Sequence, residues 1–254
     1  MNIIVCAKQI PDISEMKIDT STNKPIIKGT PQIINDIDKN AMEEAIKIKE
    51  KHGGKITVLT ISPDDCKERS KELLAMGADE AVIVKAPENI DYHMTAQLIV
   101  ESVKKIKEYD LILCGEASVD LFSGQIGPRV AGLLDIPQLT YALKITSEKD
   151  KIIAERNTGD KIVTTESKYP ALVTVTKEIN EPRLPSLMQI LAAANKPINE
   201  WAYDSLKKDL SSYVETIDLK GVKMERKNII FENDLDESVN KLVDNLAKDG
   251  VIGG

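Results

Sequence analysis

The sequence predicts an α/β fold with a doubly wound, mostly parallel sheet, helices on both faces and an extended C-terminal arm. Two observations support this prediction. Short apolar runs rich in Ile and Val alternate with segments of helical period through the first half of the chain, and the 254 residues are 42% hydrophobic. A chain of this length can build one large core, because single cores stop growing at roughly 250–300 residues.

The apolar runs in the first half predict strands. Each run is bounded by Gly, Pro or charged residues. Continuous runs of this length are typical of strands buried on both faces of a parallel sheet. The predicted strands are residues 2–8, 55–61, 80–84 and 110–114.

Segments with helical periodicity lie between these strands, at residues 39–52, 64–76 and 91–107. Asp38 or Asn40 is expected to cap the first helix. Helices between parallel strands imply right-handed crossovers and a Rossmann-like sheet. Ligands of such sheets bind beyond the carboxyl ends of the strands, so the loops there are the place to look for a site.

The second half of the chain changes its pattern at residue 180. Before it, four further strands are predicted, and after it a helix, a long polar arm and a short amphipathic helix. The strands are residues 139–146, 151–156, 161–167 and 171–176, and the helices are residues 187–194 and 235–247. We divide the chain into an α/β domain at residues 1–180, a loop and helix at 181–200, and a C-terminal arm at 201–254.

Composition excludes several classes of protein. The formal charge is −7, which argues against nucleic acid as a partner, because binding its phosphates requires clustered Lys and Arg. Three cysteines without C-x-x-C spacing indicate a reduced, cytoplasmic protein without structural zinc. The apolar N-terminus is too short for a signal sequence or for membrane insertion.

Residues 115–126 follow the fourth predicted strand and lead into an apolar helix at residues 130–134. Backbone N–H groups at such a helix N-terminus, with Gly124 and Gly127 close by, can hold a phosphate. The same glycines are equally compatible with a tight turn and close packing of the helix on the sheet. The position beyond a strand's carboxyl end favours a nucleotide.

The loop before the first helix is a second candidate. Asn35, Asp36 and Asp38 can bond ribose hydroxyls or an adenine edge, and helix capping by Asp36 or Asp38 is the alternative. Cys6 and Cys114 lie in predicted core strands, where they are expected to act as small apolar residues. No G-x-S-x-G, H-E-x-x-H or P-loop pattern occurs, so we expect neither catalytic residues nor a metal site.

Several stretches of the chain, taken together, resemble the small (β) subunit of electron-transfer flavoproteins. The likeness extends nearly from end to end, and its most specific parts are AMGAD, DIPQ and NEPR, the last followed four positions later by Leu187. The stretches are VCAKQIPD, IINDIDKNAMEEAIKIKE, ELLAMGADEAV, GQIGPRVAGLLDIPQLT and TVTKEINEPRLPSLMQI.

The resemblance implies an electron-carrier subunit that binds AMP and pairs with a larger α subunit bearing FAD. Residues 1–180 would form the nucleotide-binding domain, 181–200 the partner-recognition loop and helix, and 201–254 an arm that packs on the large subunit. Leu187 would be the apolar anchor that inserts into a flavin-containing dehydrogenase. The implied nucleotide contacts are Cys6, Asn35, Asp36, Ile37, Asp38, Ile61, Gly115, Glu116, Ala117, Ser118, Val119, Asp120, Leu121, Phe122, Ser123, Gly124, Gln125 and Ile126.

Two alternatives remain open at this point. In a bifurcating branch of the family, a second FAD replaces AMP and accepts hydride from NADH. Residues 120–122 depart from the D-G-D pattern of that branch, whereas QIPD and KPINEW are similar to it. The other alternative is an ATP-binding protein of the universal-stress type, in which the long arm after residue 180 would have no role.

Overall fold

The computed structural model describes residues 1–206, 210–221, 227–232 and 234–252. It divides into two compact units, Met1–Leu219 and Lys220–Gly254. Strands of the first unit are β1 (Asn2–Cys6), β2 (Gln9–Pro11), β3 (Lys17–Ile18), β4 (Pro25–Ile26), β5 (Gln32–Ile34), β6 (Lys55–Ser62), β7 (Glu80–Lys85), β8 (Leu111–Gly115), β9 (Gln138–Ser147), β10 (Lys151–Asn157), β11 (Ile162–Lys168), β12 (Ala171–Val175) and β13 (Ile198–Ala202). Its helices are α1 (Asp36–His52), α2 (Lys67–Met76), α3 (Tyr92–Ile106), α4 (Ile126–Leu134) and α5 (Leu187–Ala193).

One nine-stranded sheet organises the first unit, in the order β11-β10-β9-β12-β8-β1-β6-β7-β13. The strands from β9 to β13 in this order pair in parallel, and β10 and β11 add an antiparallel edge. The predicted Rossmann-like, mostly parallel sheet is therefore confirmed. The chain runs outward from β1 through β6 and β7 and then returns to β8 on the other side, so the strand order reverses at β1.

Helices cover both faces of the sheet, as predicted. Successive side chains of a strand point to opposite faces. Accordingly, Ile3 and Val5 of β1 join the core beneath α1 and α2, whereas Ile4 and Cys6 join the core beneath α3 and α4. This double burial explains why the central strands are continuously apolar.

The structure corrects three sequence predictions. Residues 198–202, for which no strand was predicted, form β13 and pair in parallel with β7. The second helix begins at Lys67, three residues later than predicted. Helix α1 begins at Asp36 with Asn35 as its N-cap residue, so neither Asp38 nor Asn40 caps it.

The second unit contains helix α6 (Leu235–Lys248). Its N-cap residue is Asp234, whose carboxylate accepts the backbone N–H of Glu237 at 3.1 Å. Near its end, the Lys227 ammonium binds the Asp249 carboxylate at 2.7 Å. Across the described residues of both units, every helix is too short or too polar to cross a lipid bilayer.

Candidate functional site

A cavity of about 270 Å³ lies beside the paired strands β1 and β8, at the carboxyl ends of β1, β6 and β8. Its walls come from the loops after these strands and from the first turns of α1, α3 and α4. This is the topological switch point of the sheet, the place where doubly wound folds bind their ligands. The prediction of a site at the strand carboxyl ends thus corresponds to a real cavity.

The cavity brings together most of the residues proposed as nucleotide contacts. Those that line it are Cys6, Asn35, Asp38, Ile61, Gly115, Glu116, Ala117, Ser118, Leu121, Ser123, Gly124, Gln125 and Ile126. Five other candidates lie outside the lining among the described residues: Asp36, Ile37, Val119, Asp120 and Phe122. Asp36 and Phe122 are exposed to solvent, and Ile37 is buried against Gly115.

Asn35 fixes the loop that follows β8. Its side-chain amide donates to the Ala117 carbonyl at 3.0 Å, and its amide oxygen accepts the Val119 N–H at 3.1 Å. The N-cap side chain therefore binds a distant loop, at a point where a cap residue commonly bonds its own helix. Val119 lies outside the lining, but its backbone N–H helps to hold the loop after β8 in place.

Asp38 joins two strand ends through one carboxylate. Oδ1 accepts the Gly115 N–H and Oδ2 accepts the Lys8 N–H, both at 2.9 Å. Burial raises the pKa of this carboxyl to about 6, against the opposing effect of the two N–H bonds. A side chain at Gly115 would place its Cβ 2.7 Å from Oδ1, so glycine is required there.

Burial disfavours ionisation of the two thiols of the cavity. Burial raises the pKa of the Cys6 thiol to about 12, with a further contribution from the Asp38 charge. Burial also raises the pKa of the Cys114 thiol well above its ordinary value. Because the thiolate is the reactive form, both cysteines act as small apolar groups, as the sequence suggested.

The N-terminus of α4 faces the cavity through Gly124, Gln125 and Ile126. Gly124 has φ +63°, a conformation that glycine adopts readily. A Cβ at Gly127 would lie 2.5 Å from Thr174 Cγ2 on β12. Gly124 thus allows the turn before α4, and Gly127 allows α4 to pack closely on the sheet. This packing also brings the N-terminus of α4 to the cavity.

Part of the lining was not predicted. The loop between β7 and α3 contributes a wall, and Lys8, two residues after β1, contributes a cation. The lining residues that were not predicted come from these two places and from β6, the loop after it, α3 and β8: Ala7, Lys8, Leu59, Pro63, Pro87, Asn89, Ile90, Tyr92, Thr95, Ile99 and Cys114. The predicted parallel order of the strands places the β7–α3 loop at the same carboxyl edge of the sheet as the other lining loops. This part of the lining could therefore have been predicted from the sequence.

Comparison with known proteins defines the class of protein. A family model described as the electron transfer flavoprotein domain matches residues 26–206, well over half of the chain. The chain belongs to the electron transfer flavoprotein family, whose members act in flavin-linked electron transfer.

Relatives narrow this to the β-subunit type. The chain is 40% identical over 99% of its length to the electron transfer flavoprotein subunit beta of Thermoanaerobacterium thermosaccharolyticum, all of which is covered. It is 39% identical to the subunit beta of Clostridium acetobutylicum, over 82% of this chain and 81% of the relative. It is 38% identical to the caffeyl-CoA reductase-Etf complex subunit CarD of Acetobacterium woodii, over 81% and 80%.

Proposed function

We propose that this chain binds AMP in the cavity and pairs with an FAD-bearing α subunit to carry electrons from a flavin-containing dehydrogenase to an acceptor. FAD would supply the redox chemistry. The observation that carries the proposal is the cavity at the switch point of the sheet, where Asp38 joins the segment after β1 to the end of β8.

The chemistry of the cavity suits an adenine nucleotide. Ile61, Ile90 and Ile99 provide an apolar surface for a flat base. The Ser118 and Ser123 hydroxyls and the backbone N–H groups at the start of α4 provide polar groups for ribose and phosphate. We assign no bond-breaking chemistry to this chain.

FAD in place of AMP, as in a bifurcating subunit, is the second candidate. FAD contains all of AMP together with a ribityl phosphate and an isoalloxazine ring, and in this chain the part beyond AMP would extend outside a cavity of about 270 Å³. The family assignment removes the universal-stress alternative.

We further propose that α5 forms the surface that docks on the dehydrogenase. Leu187 is the first residue of this helix and is 71% exposed, and Met188 and Leu191 beside it are 74% and 60% exposed. Contiguous exposed apolar side chains of this kind mark interaction sites. Leu187 is the proposed anchor residue.

Thermal unfolding of the full chain tests the nucleotide proposal. A ligand that binds the folded state alone stabilises it by about 2.7 kcal/mol at 100 times its Kd. AMP should therefore raise the melting temperature. CMP has the same phosphate and charge but a smaller base, and it should raise the melting temperature less. Equal melting temperatures with and without AMP would contradict the proposal.

A further inference from the structure

The cavity contains little positive charge for a site that would hold a phosphate. Among the described residues that line it, Lys8 is the one Lys or Arg, and Asp38 and Glu116 are acidic. Arg129, one turn into α4, lies outside the lining, and its guanidinium donates to the uncharged Gln125 side chain at 2.7 and 3.0 Å. Within the described lining, the positive charge of a side chain therefore comes from Lys8.

Lys8 is bound to an acidic residue outside the lining. Its ammonium contacts Asp120 Oδ2 at 2.7 Å and Ser118 Oγ at 3.4 Å. The Asp120 side chain is 15% exposed and that of Lys8 is 39% exposed, so solvent screens this pair less than a surface pair. The Asp120 carboxylate thus offsets much of the one cationic charge available to a ligand.

The remaining positive potential comes from the N-terminus of α4, which amounts to about half an elementary charge. This half charge and the remaining charge of Lys8 together offset only part of the roughly two negative charges of a single phosphate group. Each further phosphate of ADP or ATP adds about one charge that no lining cation offsets.

We infer that the Lys8–Asp120 ion pair determines specificity by limiting the charge of the ligand, so that the site accepts nucleoside monophosphates and rejects di- and triphosphates. This inference rests on the proposed nucleotide function. It assigns a role to Asp120, which the structure places beside the cavity and not in its lining. Lys8 lines the cavity and is the residue that would meet the phosphate, and Asp120 acts through Lys8.

Equilibrium dialysis with the full chain and four ligands tests this inference: adenosine, AMP, ADP and ATP, in buffer without Mg²⁺. The wild type should bind AMP more tightly than ADP, and ADP more tightly than ATP. Asp120→Asn keeps an oxygen for Lys8 but removes the charge. This variant should raise the affinity for ATP most, for ADP less and for AMP least. The ratio of ATP affinity to AMP affinity should rise about tenfold, and the affinity for adenosine should not change.

Two variants complete the design. Lys8→Met should shift the affinities in the opposite direction, weakening each phosphorylated ligand and sparing adenosine. Asp150→Asn makes the same change in net charge on the exposed turn between β9 and β10, and it should behave as the wild type.

The possible outcomes distinguish the inference about ligand charge from the nucleotide-binding proposal on which it rests. If AMP binds but neither Asp120→Asn nor Lys8→Met changes the ratio of ATP to AMP affinity, the inference is wrong and the nucleotide proposal stands. If the wild type binds none of the four ligands, both are wrong. If Asp120→Asn fails to fold, Lys8→Met alone decides, because the inference requires its effect to grow with ligand charge.

Discussion

Asp38 shows how a single carboxylate can organise a binding site. The residue lies in the first turn of α1, where an acidic side chain commonly interacts with its own helix. Here its two oxygens accept N–H groups from Lys8 and Gly115 on two other segments. Pattern analysis predicted helix capping because local spacing contains no information about partners 30 and 77 residues away.

The raised pKa of Asp38 predicts a pH-dependent stability. Its folded value of about 6 exceeds the ordinary value of 3.8, so the folded state holds the proton more tightly. This contribution to stability is full below about pH 4 and is lost as the pH rises through 6. A difference of about two pH units corresponds to about 3 kcal/mol.

Urea unfolding from pH 4 to pH 8 checks this prediction. The Asp38→Asn variant is neutral at every pH, and other titrating groups cancel when the two proteins are compared. The free energy of unfolding of the wild type, minus that of Asp38→Asn, should fall as the pH rises. A difference that stays constant across the range would show that Asp38 does not titrate there.

At the scale of elements, α1 connects the cavity with the proposed docking surface. Its first turn holds the strand ends, and farther along Glu43 and Glu50 bind the Arg183 guanidinium at 2.9 and 2.6 Å. At the other end of α5, the Lys196 ammonium donates to the carbonyls of Leu74 and Ala78. Polar contacts on both sides of α5 therefore hold it with its apolar residues exposed.

Replacing Leu187 tests that surface. Leu187→Ala should raise the KM of a partner flavin dehydrogenase for the electron-transfer complex by about tenfold or more, because apolar anchor residues contribute about 2 kcal/mol or more to an interface. The flavin and nucleotide content should not change. Ile162→Ala is a matched control, since Ile162 is 63% exposed on the edge strand β11. If the two variants changed this KM equally, Leu187 would not be an anchor residue.

Helix α4 offers a second test with a control in the same helix. Gly127→Ala brings a methyl group 2.5 Å from Thr174 Cγ2 and should destabilise the protein by about 1–3 kcal/mol. At Gly132 the added methyl meets no described atom within 4 Å, so Gly132→Ala should stabilise the helix by about 0.5–1 kcal/mol. Denaturant unfolding measures both. If Gly127→Ala were as stable as Gly132→Ala, the close packing of α4 would be refuted.

At the scale of the whole molecule, apolar periodicity predicted most of the fold. Strands such as β1 and β8 are continuously apolar because they are buried on both faces, and that pattern is visible in the sequence. The strand β13 is different: its residues Asn199 and Glu200 are exposed at the sheet edge, so burial leaves no periodic signal there. Edge strands of this kind are defined by pairing with a neighbour.

The lining of the cavity was predicted to a similar extent. The loop after β8 was found from its glycines and its position, and the resemblance supplied Cys6 and Ile61. Lys8 and the wall between β7 and α3 were missed, because they enter the cavity through tertiary packing. The partition of function among residues 1–180, 181–200 and 201–254 stays a prediction. The structure itself separates Met1–Leu219 from Lys220–Gly254.

The nucleotide content of the purified complex tests the central claim most directly. The chain would be produced together with its large subunit, the complex denatured, and the released nucleotides separated and quantified. The account predicts one AMP and one FAD for each pair of subunits, with AMP lost when Lys8 is replaced by Met. Two FAD and no AMP would contradict it and make this chain the holder of a second flavin.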